Sequence, residues 1–286
     1  MNTLATGIPV ADAAAARLAA WLAAHANVVA ITGAGVSTGS GIPDYRDGDG
    51  NWKRSPPVQY RDFVQSDAVR RRYWARSFAG WPTFAAARPS AAHTALARLE
   101  EQNRIAGIVT QNVDRLHQRT GSRNVVDLHG RLDKVRCLTC GKRMDRAAFQ
   151  QHLRDANFYW NASCAGIAPD GDADLEDVDF SAFEVPSCEI CGGVLKPDVV
   201  FYGESVPRGT TMAAFAAVES ADGVLVVGSS LMVWSSFRLV RAAAARGIPV
   251  AAVNRGRTRG DALFAFKCEE DCGVVLGEVV DGLLHP

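Results

Sequence analysis

Short runs of β-branched and aliphatic residues punctuate the chain at Val28 to Thr32, Ile105 to Thr110, Asn124 to Leu128, Gly223 to Gly228 and Ile248 to Asn254. Small or polar residues follow each run, and apolar positions at helical spacing follow those. This alternation predicts an α/β fold, a parallel sheet with helices on both faces. Val10 to Ala26 is Ala-rich but contains Asp12, Arg17 and His25, a pattern that predicts an amphipathic helix ahead of the first strand. That helix leads directly into the buried-strand pattern of Val28 to Thr32, so it does not read as a cleavable signal. No apolar run reaches the roughly 18 to 20 residues of a membrane-spanning helix.

Two stretches interrupt the alternation. Tyr45 to Gln102 is rich in arginine and aromatics and predicts helices plus a turn-rich loop from Asp47 to Pro57. Arg131 to Lys196 carries two CxxC pairs and a Gly/Asp/Pro-rich segment, Gly166 to Asp172. The expected organisation is one module over residues 1–286. A large Rossmann-like domain comes from about 1–45, 103–130 and 197–286, and a smaller domain from a helical insertion, 46–102, and a zinc ribbon, 131–196.

Ligands of parallel sheets bind beyond the carboxyl ends of the strands. The residues that follow the runs are Gly33-Ala34-Gly35, Gln111-Asn112-Val113-Asp114, His129-Gly130, Gly228-Ser229-Ser230 and Asn254. All of them are placed by this rule at one crevice. The balance of 31 basic against 31 acidic side chains, with 22% charged and 48% hydrophobic residues, excludes a nucleic-acid or membrane surface as the evident role. A soluble protein of the cytoplasm is expected. Seven cysteines is an odd number, and four of them stand in CxxC pairs, which in a reducing compartment points to metal rather than disulfides.

Cys137, Cys140, Cys188 and Cys191 offer four thiolates from two knuckles, each knuckle followed by glycine, Gly141 and Gly192. Four protein ligands suit a tetrahedral structural zinc and leave no position for a reacting water. A redox pair is the alternative. Cys164, Cys268 and Cys272 lack partner spacing and read as buried small residues. Gly33-Ala34-Gly35-Val36-Ser37 follows a strand, and its glycines would let backbone amides approach a pyrophosphate. By itself such a turn is equally a plain connection. Gly39 and Gly41 depart from the spacing of the usual dinucleotide fingerprint, so a plain hydride-transferring dehydrogenase fits poorly.

The neighbouring residues add to this. Thr32 to Arg46 (TGAGVSTGSGIPDYR) closely resembles the NAD-binding signature of the sirtuins. Thr110-Gln111-Asn112-Val113-Asp114, Leu128-His129-Gly130, the two CxxC pairs, Lys196 to Glu204, Gly228-Ser229-Ser230-Leu231 and Val253-Asn254 match further family blocks in order, so that the resemblance covers nearly the whole chain. Gly41 to Arg46, Arg72 to Arg76, Gly80-Trp81-Pro82 and Ala168 to Asp172 look most like the class II branch. A bacterial member is expected, because no mitochondrial presequence is evident. Tyr45 stands where phenylalanine is commoner in the family.

The resemblance implies an NAD-dependent protein-lysine deacylase acting on acylated protein substrates and releasing nicotinamide, free lysine and O-acyl-ADP-ribose. It places the NAD pyrophosphate on Gly33, Ala34, Gly35, Ser229 and Ser230 and the adenosine end near Asn254, Gly256 and Cys272, with Ser37, Gly228 and Arg255 also in the cofactor-binding set. Ile42 and Asp114 would hold the nicotinamide amide, Asn112 the ribose, with Gln111 and Val113 beside them; Asp44, Tyr45 and Arg46 complete that end, where Asp44 and Arg46 are equally an ion pair. His129 is the implied general base, an imidazole whose ordinary pKa suits neutral pH; considered alone, a histidine after a strand is a packing or capping residue. His117, three residues beyond Asp114, reads as a cap or support for its loop, and His25, His93, His152 and His285 have weaker cases. Val200, Tyr202 and Val233 are expected walls of the lysine tunnel, with Val200 and Tyr202 alternating on a strand. Tyr73 and Arg76, three apart on a helix, resemble the pair that reads carboxylated acyl chains in class III sirtuins; a solvated basic helix is the other reading. Protein mono-ADP-ribosyl transfer and a non-enzymatic NAD-sensing zinc-ribbon module are the alternative functions.

Overall fold

A computed structural model describes residues 10–53, 57–160, 167–173, 175 and 178–284. Cys164, Gly166 and His285 lie outside the described residues. The strands are β1 (Val28–Thr32), β2 (Gly107–Thr110), β3 (Val125–Asp127), β4 (Gly130–Cys137), β5 (Arg143–Asp145), β6 (Leu195–Val199), β7 (Gly223–Val227), β8 (Val250–Val253) and β9 (Phe266–Cys268). Six of them form one parallel sheet in the order β3-β2-β1-β7-β8-β9. Counted within that sheet, the order is third, second, first, fourth, fifth, sixth: a doubly wound sheet whose direction of winding reverses between β1 and β7. The five expected strands form; β9 is an added edge strand, and its Phe-Lys-Cys sequence carries too short a pattern to be read.

Both faces of the sheet are covered, which explains the near-continuous apolar runs. Val28, Ala30, Leu225, Val227, Ala251 and Val253 pack beneath α1 (Val10–Ala23), α4 (Ala91–Glu101) and α9 (Cys272–Leu284). Their neighbours Val29, Ile31, Val224, Val226, Val250 and Ala252 pack beneath α7 (Arg208–Ser220) and α8 (Trp234–Ala245). Each fully buried Val, Leu or Ile contributes about 1.5 to 3 kcal/mol by leaving water.

α4 was expected within the helical insertion and instead packs with the large sheet. Its Ala92, Ala95, Leu96 and Leu99 recur at helical spacing on one face and enter the same core as Val275, Leu276 and Val279 of α9. Ser90 caps its start: Ser90 Oγ accepts from the His93 amide, and His93 Nδ1 accepts from the Ser90 amide in return.

The smaller unit has its own core. α2 (Tyr60–Gln65), α3 (Asp67–Ala86) and α6 (Arg146–Ala156) enclose Phe63, Tyr73, Trp74, Phe149 and Leu153 against an antiparallel sheet, β5-β4-β6. The Trp74 indole N–H donates to the Leu195 carbonyl at 3.1 Å, satisfying the ring's polar atom in a dry setting. Within this sheet β6 pairs with β4 at Gly130 and from Val135 to Cys137. Lys196 on β6 is fully buried, and its ammonium meets Glu204 at 3.0 Å and the Pro197 carbonyl at 3.2 Å. Burial pulls its pKa down and the Glu204 carboxylate pulls it back up. Glu204 also accepts from the Phe201 amide at 2.9 Å, so one ion pair fixes the chain as it leaves the three-stranded sheet for the crevice.

Candidate active site

The turns after β1 and β7 meet at the switch point. The Gly33 amide donates to the Val227 carbonyl at 3.2 Å, and the Gly35 amide to the Gly228 carbonyl at 2.8 Å. A Cβ on Gly33 would stand 2.8 Å from Ser229 Cβ, and one on Gly35 would stand 2.8 Å from Gly228 Cα. No side chain fits at either position, so this surface is bare backbone. A cavity of about 660 Å³ opens over it. Its wall includes Gly33, Ala34, Gly35, Ser37, Gly228, Ser229 and Ser230 on one side, with Asn254, Arg255 and Gly256 beyond. Ile42, Asp44, Tyr45, Arg46, Gln111, Asn112, Val113, Asp114 and His129 line the rest of this region.

Thr110-Gln111-Asn112-Val113-Asp114 leaves β2 and is held from several directions. Gln111 Nε2 donates to Ser229 Oγ at 2.6 Å and to the Thr32 carbonyl at 3.2 Å, while its Oε1 accepts from Ser236 Oγ at 2.9 Å. Asn112 Nδ2 donates to Ser37 Oγ at 3.0 Å and to the Gly33 carbonyl at 3.1 Å. The Ser37 hydroxyl in turn donates to Asp114 Oδ2 at 2.7 Å. Asp114 Oδ1 accepts from the Leu116 amide at 2.9 Å, at the start of α5 (Leu116–Thr120).

His129 is poised as a neutral base. Its Nδ1 lies 3.1 Å from the Gln111 carbonyl, which can only accept, so the ring proton sits on Nδ1 and the Nε2 lone pair is left for the Ser235 hydroxyl at 2.7 Å. Burial brings its pKa down to about 4, against a smaller upward pull from the Gln111 carbonyl. Ser235 and Ser236 are partners that sequence reasoning missed, because serines at a helix start carry no distinguishing pattern.

Beneath this layer stand His93 and His117, both buried, with ring centroids 4.7 Å apart. His117 Nε2 is 3.0 Å from Thr32 Oγ1, so this histidine braces the floor of the crevice. Burial lowers His93 to about 4, opposed by the Asp114 carboxylate, and lowers His117 to about 3, aided by His93.

At the other end of the cavity, Val200, Tyr202, Val233 and Tyr73 all line the wall. β6 ends at Val199, so Val200 and Tyr202 lie on an extended segment beyond it rather than on the strand. The Val200 amide donates to the His129 carbonyl at 2.8 Å. Trp52 sits edge-on to Tyr45 and Tyr202, and the Arg46 guanidinium lies 3.9 Å over its ring. Of the two equal readings of Asp44 and Arg46, the ion pair is not found among the described residues: Asp44 pairs with Lys53, while Arg46 stacks on Trp52 and donates to the Gly50 carbonyl.

Two expected site residues stand off the cavity wall. Cys272 is buried at the start of α9, its thiol directed at the Gly35 carbonyl 3.6 Å away, so it backs the glycine turn. Arg76 is turned toward the segment that follows Gly171: its Nε donates to the Ala173 carbonyl at 2.9 Å, and its own carbonyl accepts from the Ala173 amide at 2.8 Å. Its guanidinium also offsets the fully buried Asp172, whose carboxyl burial and Asp170 push well above the usual range. The arginine therefore anchors the segment that carries Pro169 and Asp170 into the cavity wall.

The four CxxC sulfurs come together as expected, all within 4.8 Å of one another. Cys137 and Cys191 are 3.5 Å apart, and Cys140 and Cys188 are 3.7 Å apart. Four ligands at roughly 2.3 Å on a tetrahedron have edges of roughly 3.8 Å, so the set is compatible with zinc. Gly141 and Gly192 both take left-handed φ values, +72° and +69°, which close the knuckles. The amides of Cys140 and Thr139 donate to Cys137 Sγ and bring its pKa down to about 6.

A bare-backbone turn at the switch point of a doubly wound sheet is the architecture of a dinucleotide-binding α/β protein. The sequence model described as "Sir2 family" matches residues 33–235, and the chain belongs to that family. It is 57% identical over 263 residues to an "NAD-dependent protein deacetylase" of Bordetella bronchiseptica, covering 92% of this chain and 96% of that protein. It is 58% identical over 256 residues to an "NAD-dependent protein deacetylase 2" of Bradyrhizobium diazoefficiens, covering 90% and 94%. A solved structure described as "Sir2-p53 peptide-NAD+" superposes with a TM-score of 0.78 at 28% identity, over 94% of this chain and 98% of that one. Another, described as "Structural Basis for the Mechanism and Regulation of Sir2 Enzymes", gives 0.76 at 32% identity, over 96% and 98%. Among the described residues, no helix is long and apolar enough to cross a membrane.

Two outcomes follow from these environments. His93, His117 and His129 titrate near 4, 3 and 4 when folded and near 6.5 when unfolded. The unfolded chain therefore binds more protons across that window, and stability falls as pH drops from about 6.5 toward 4. Urea midpoints should decline between about pH 7 and pH 5, and less steeply in His117→Leu; an unchanged slope would remove His117 from the account. Arg76→Met should lower turnover of acetyl- and succinyl-lysine peptides together, with a stability loss of about 1 to 3 kcal/mol. A loss confined to the succinylated peptide would return Arg76 to the acyl pocket.

Proposed function

We propose that this chain is an NAD-dependent protein-lysine deacylase, acting on acylated lysines of protein substrates and yielding nicotinamide, free lysine and O-acyl-ADP-ribose. One observation carries the chemistry: His129 is neutral, its tautomer is set by the Gln111 carbonyl, and its Nε2 lone pair is held on the cavity wall. NAD, when bound, supplies an activated ribose C1′ with nicotinamide as the leaving group. The backbone of Gly33, Ala34 and Gly35, together with Ser229 and Ser230, offers the donors and the close approach that a pyrophosphate requires. Ile42, Asn112 and Asp114 would hold the nicotinamide-ribose end, and Asn254, Arg255 and Gly256 the adenosine end.

His129 Nε2 is the atom assigned to take a proton from a ribose hydroxyl. A base that is uncharged at neutral pH needs no prior deprotonation. Val200, Tyr202, Val233 and Tyr73 would enclose the aliphatic stem of the acyl-lysine, where apolar walls exclude water. The four-cysteine cluster would hold one zinc as a fold element. It supplies no open position for a substrate.

His129→Ala is expected to reduce acetyl-lysine turnover by at least about a hundredfold while NAD binding persists, general-base losses commonly being about 10² to 10⁴. Mass spectrometry of the wild-type reaction should find O-acyl-ADP-ribose; ADP-ribose attached to the protein substrate instead would assign the chain to protein ADP-ribosylation. Metal analysis should return about one zinc per chain, with Cys188→Ala unfolded or aggregated, because binding a structural zinc is itself part of folding. A folded, active, metal-free sample would end the zinc assignment.

A further inference from the structure

Behind the crevice, two buried histidine nitrogens on adjacent rings have no hydrogen-bond partner: His93 Nε2 and His117 Nδ1. Both side chains are essentially inaccessible, at 0% and 1% exposure, and neither lines the cavity. Leaving such atoms unsatisfied in a dry interior is costly, so each calls for a partner.

The surrounding bonds determine what each nitrogen can do. The Ser90 amide, which can only donate, is directed at His93 Nδ1 at 3.2 Å, and Ser90 Oγ lies 2.9 Å from the same nitrogen and 2.7 Å from the Val36 carbonyl, so its proton is shared between two acceptors. His93 Nδ1 must therefore be a lone pair, and the proton of the neutral ring sits on Nε2 as a donor. The Thr32 hydroxyl donates to Thr110 Oγ1 at 2.9 Å, so it accepts from His117 Nε2 at 3.0 Å, and His117 Nδ1 is left as an acceptor. One unpartnered atom is a donor, the other an acceptor, and their rings are adjacent.

We infer that His93 Nε2–H donates toward His117 Nδ1 across one water, and that this pair is a positioning element for the Asn112–Ser37–Asp114 cluster. The polarity then runs one way, from His93 to His117, to Thr32 and to Thr110, whose Oγ1 also accepts the Asn112 amide at 3.1 Å. From Asn112 the bonds continue through Ser37 to Asp114. The reading rests on Asn112 and Asp114 working on the nicotinamide-ribose, as proposed above. A small misplacement of reacting groups is enough to cost up to about a hundredfold in rate, so the pair acts through geometry without touching substrate.

Helix capping is the competing role of His93, and glutamine separates the two. At this position of a capping box, Gln Oε1 accepts the Ser90 amide while its NH2 donates inward. His93→Gln should keep kcat within about threefold of wild type, whereas His93→Leu should lose about tenfold or more in kcat with KM for NAD changed by less than about threefold. Ser90→Ala, which weakens the cap but leaves the Ser90 amide on Nδ1, should lower the urea midpoint and spare kcat. Long-range ¹H–¹⁵N spectra of the intact, histidine-labelled protein give a readout independent of activity: both rings should carry their proton on Nε2. A proton on Nδ1 of either ring, equal kcat losses in His93→Gln and His93→Leu, or a His93→Leu variant that loses only stability would each overturn the inference. If the wild-type chain released no nicotinamide from NAD with an acetyl-lysine peptide, the deacylase reading would fail separately, and the spectra would still decide the tautomers.

Discussion

Backbone lies against backbone where the turn after β1 meets the turn after β7. Gly33 and Gly35 on one side and Gly228 and Ser229 on the other are so close that no Cβ can intervene. This contact occurs at the strand pair where the winding of the sheet reverses, which leaves a crevice that no helix covers. The placement of everything else in the site depends on it. Gln111 reaches Ser229 across the gap, Asn112 reaches the Gly33 carbonyl, and Cys272 closes the turn from behind. A nucleotide pyrophosphate would find the same surface bare of side chains.

Around that contact, burial sets the charge state. His129, His93 and His117 are all held neutral by removal from water, with pKa values far below the ordinary histidine range. For His129 this makes the imidazole a ready acceptor, with the Gln111 carbonyl choosing which nitrogen accepts. The carboxylate of Asp114, by contrast, keeps two hydrogen-bond donors, Ser37 and the Leu116 amide. The imidazole and the Asp114 side chain thus line the same cavity, each fixed by its own hydrogen bonds.

Much of this was legible in the sequence. The five strand runs, the residues that follow them and the four cysteines carry their chemistry in their own spacing, and the structure gathers them as expected. Other features depend on contacts that no local pattern encodes. α4 looked like part of an insertion because Tyr45 to Gln102 reads as continuous helix and loop, yet its apolar face matches α9, far along the chain. Arg76 shares a helix face with Tyr73, but the buried Asp172 and the Ala173 backbone draw the guanidinium away from the cavity. Asp44 found Lys53 rather than Arg46, since Trp52 offers the guanidinium a ring to stack on. Ser235 and Ser236 gave no signal, because their role depends on which carbonyl and imidazole the fold brings opposite them.

β4 begins one residue after His129 and ends on Cys137. Its eight residues rise by about 3.3 Å each, so it spans about 25 Å. β5 pairs with it from Lys134 to Arg136, and β6 at Gly130 and again from Val135 to Cys137, with a shift of register between. Mechanically it is a strut with the sulfur cluster at one end and the imidazole at the other. The proposed base and the four thiolates therefore stand at opposite ends of one strand, with the shift of register between Gly130 and Val135 as the joint between them.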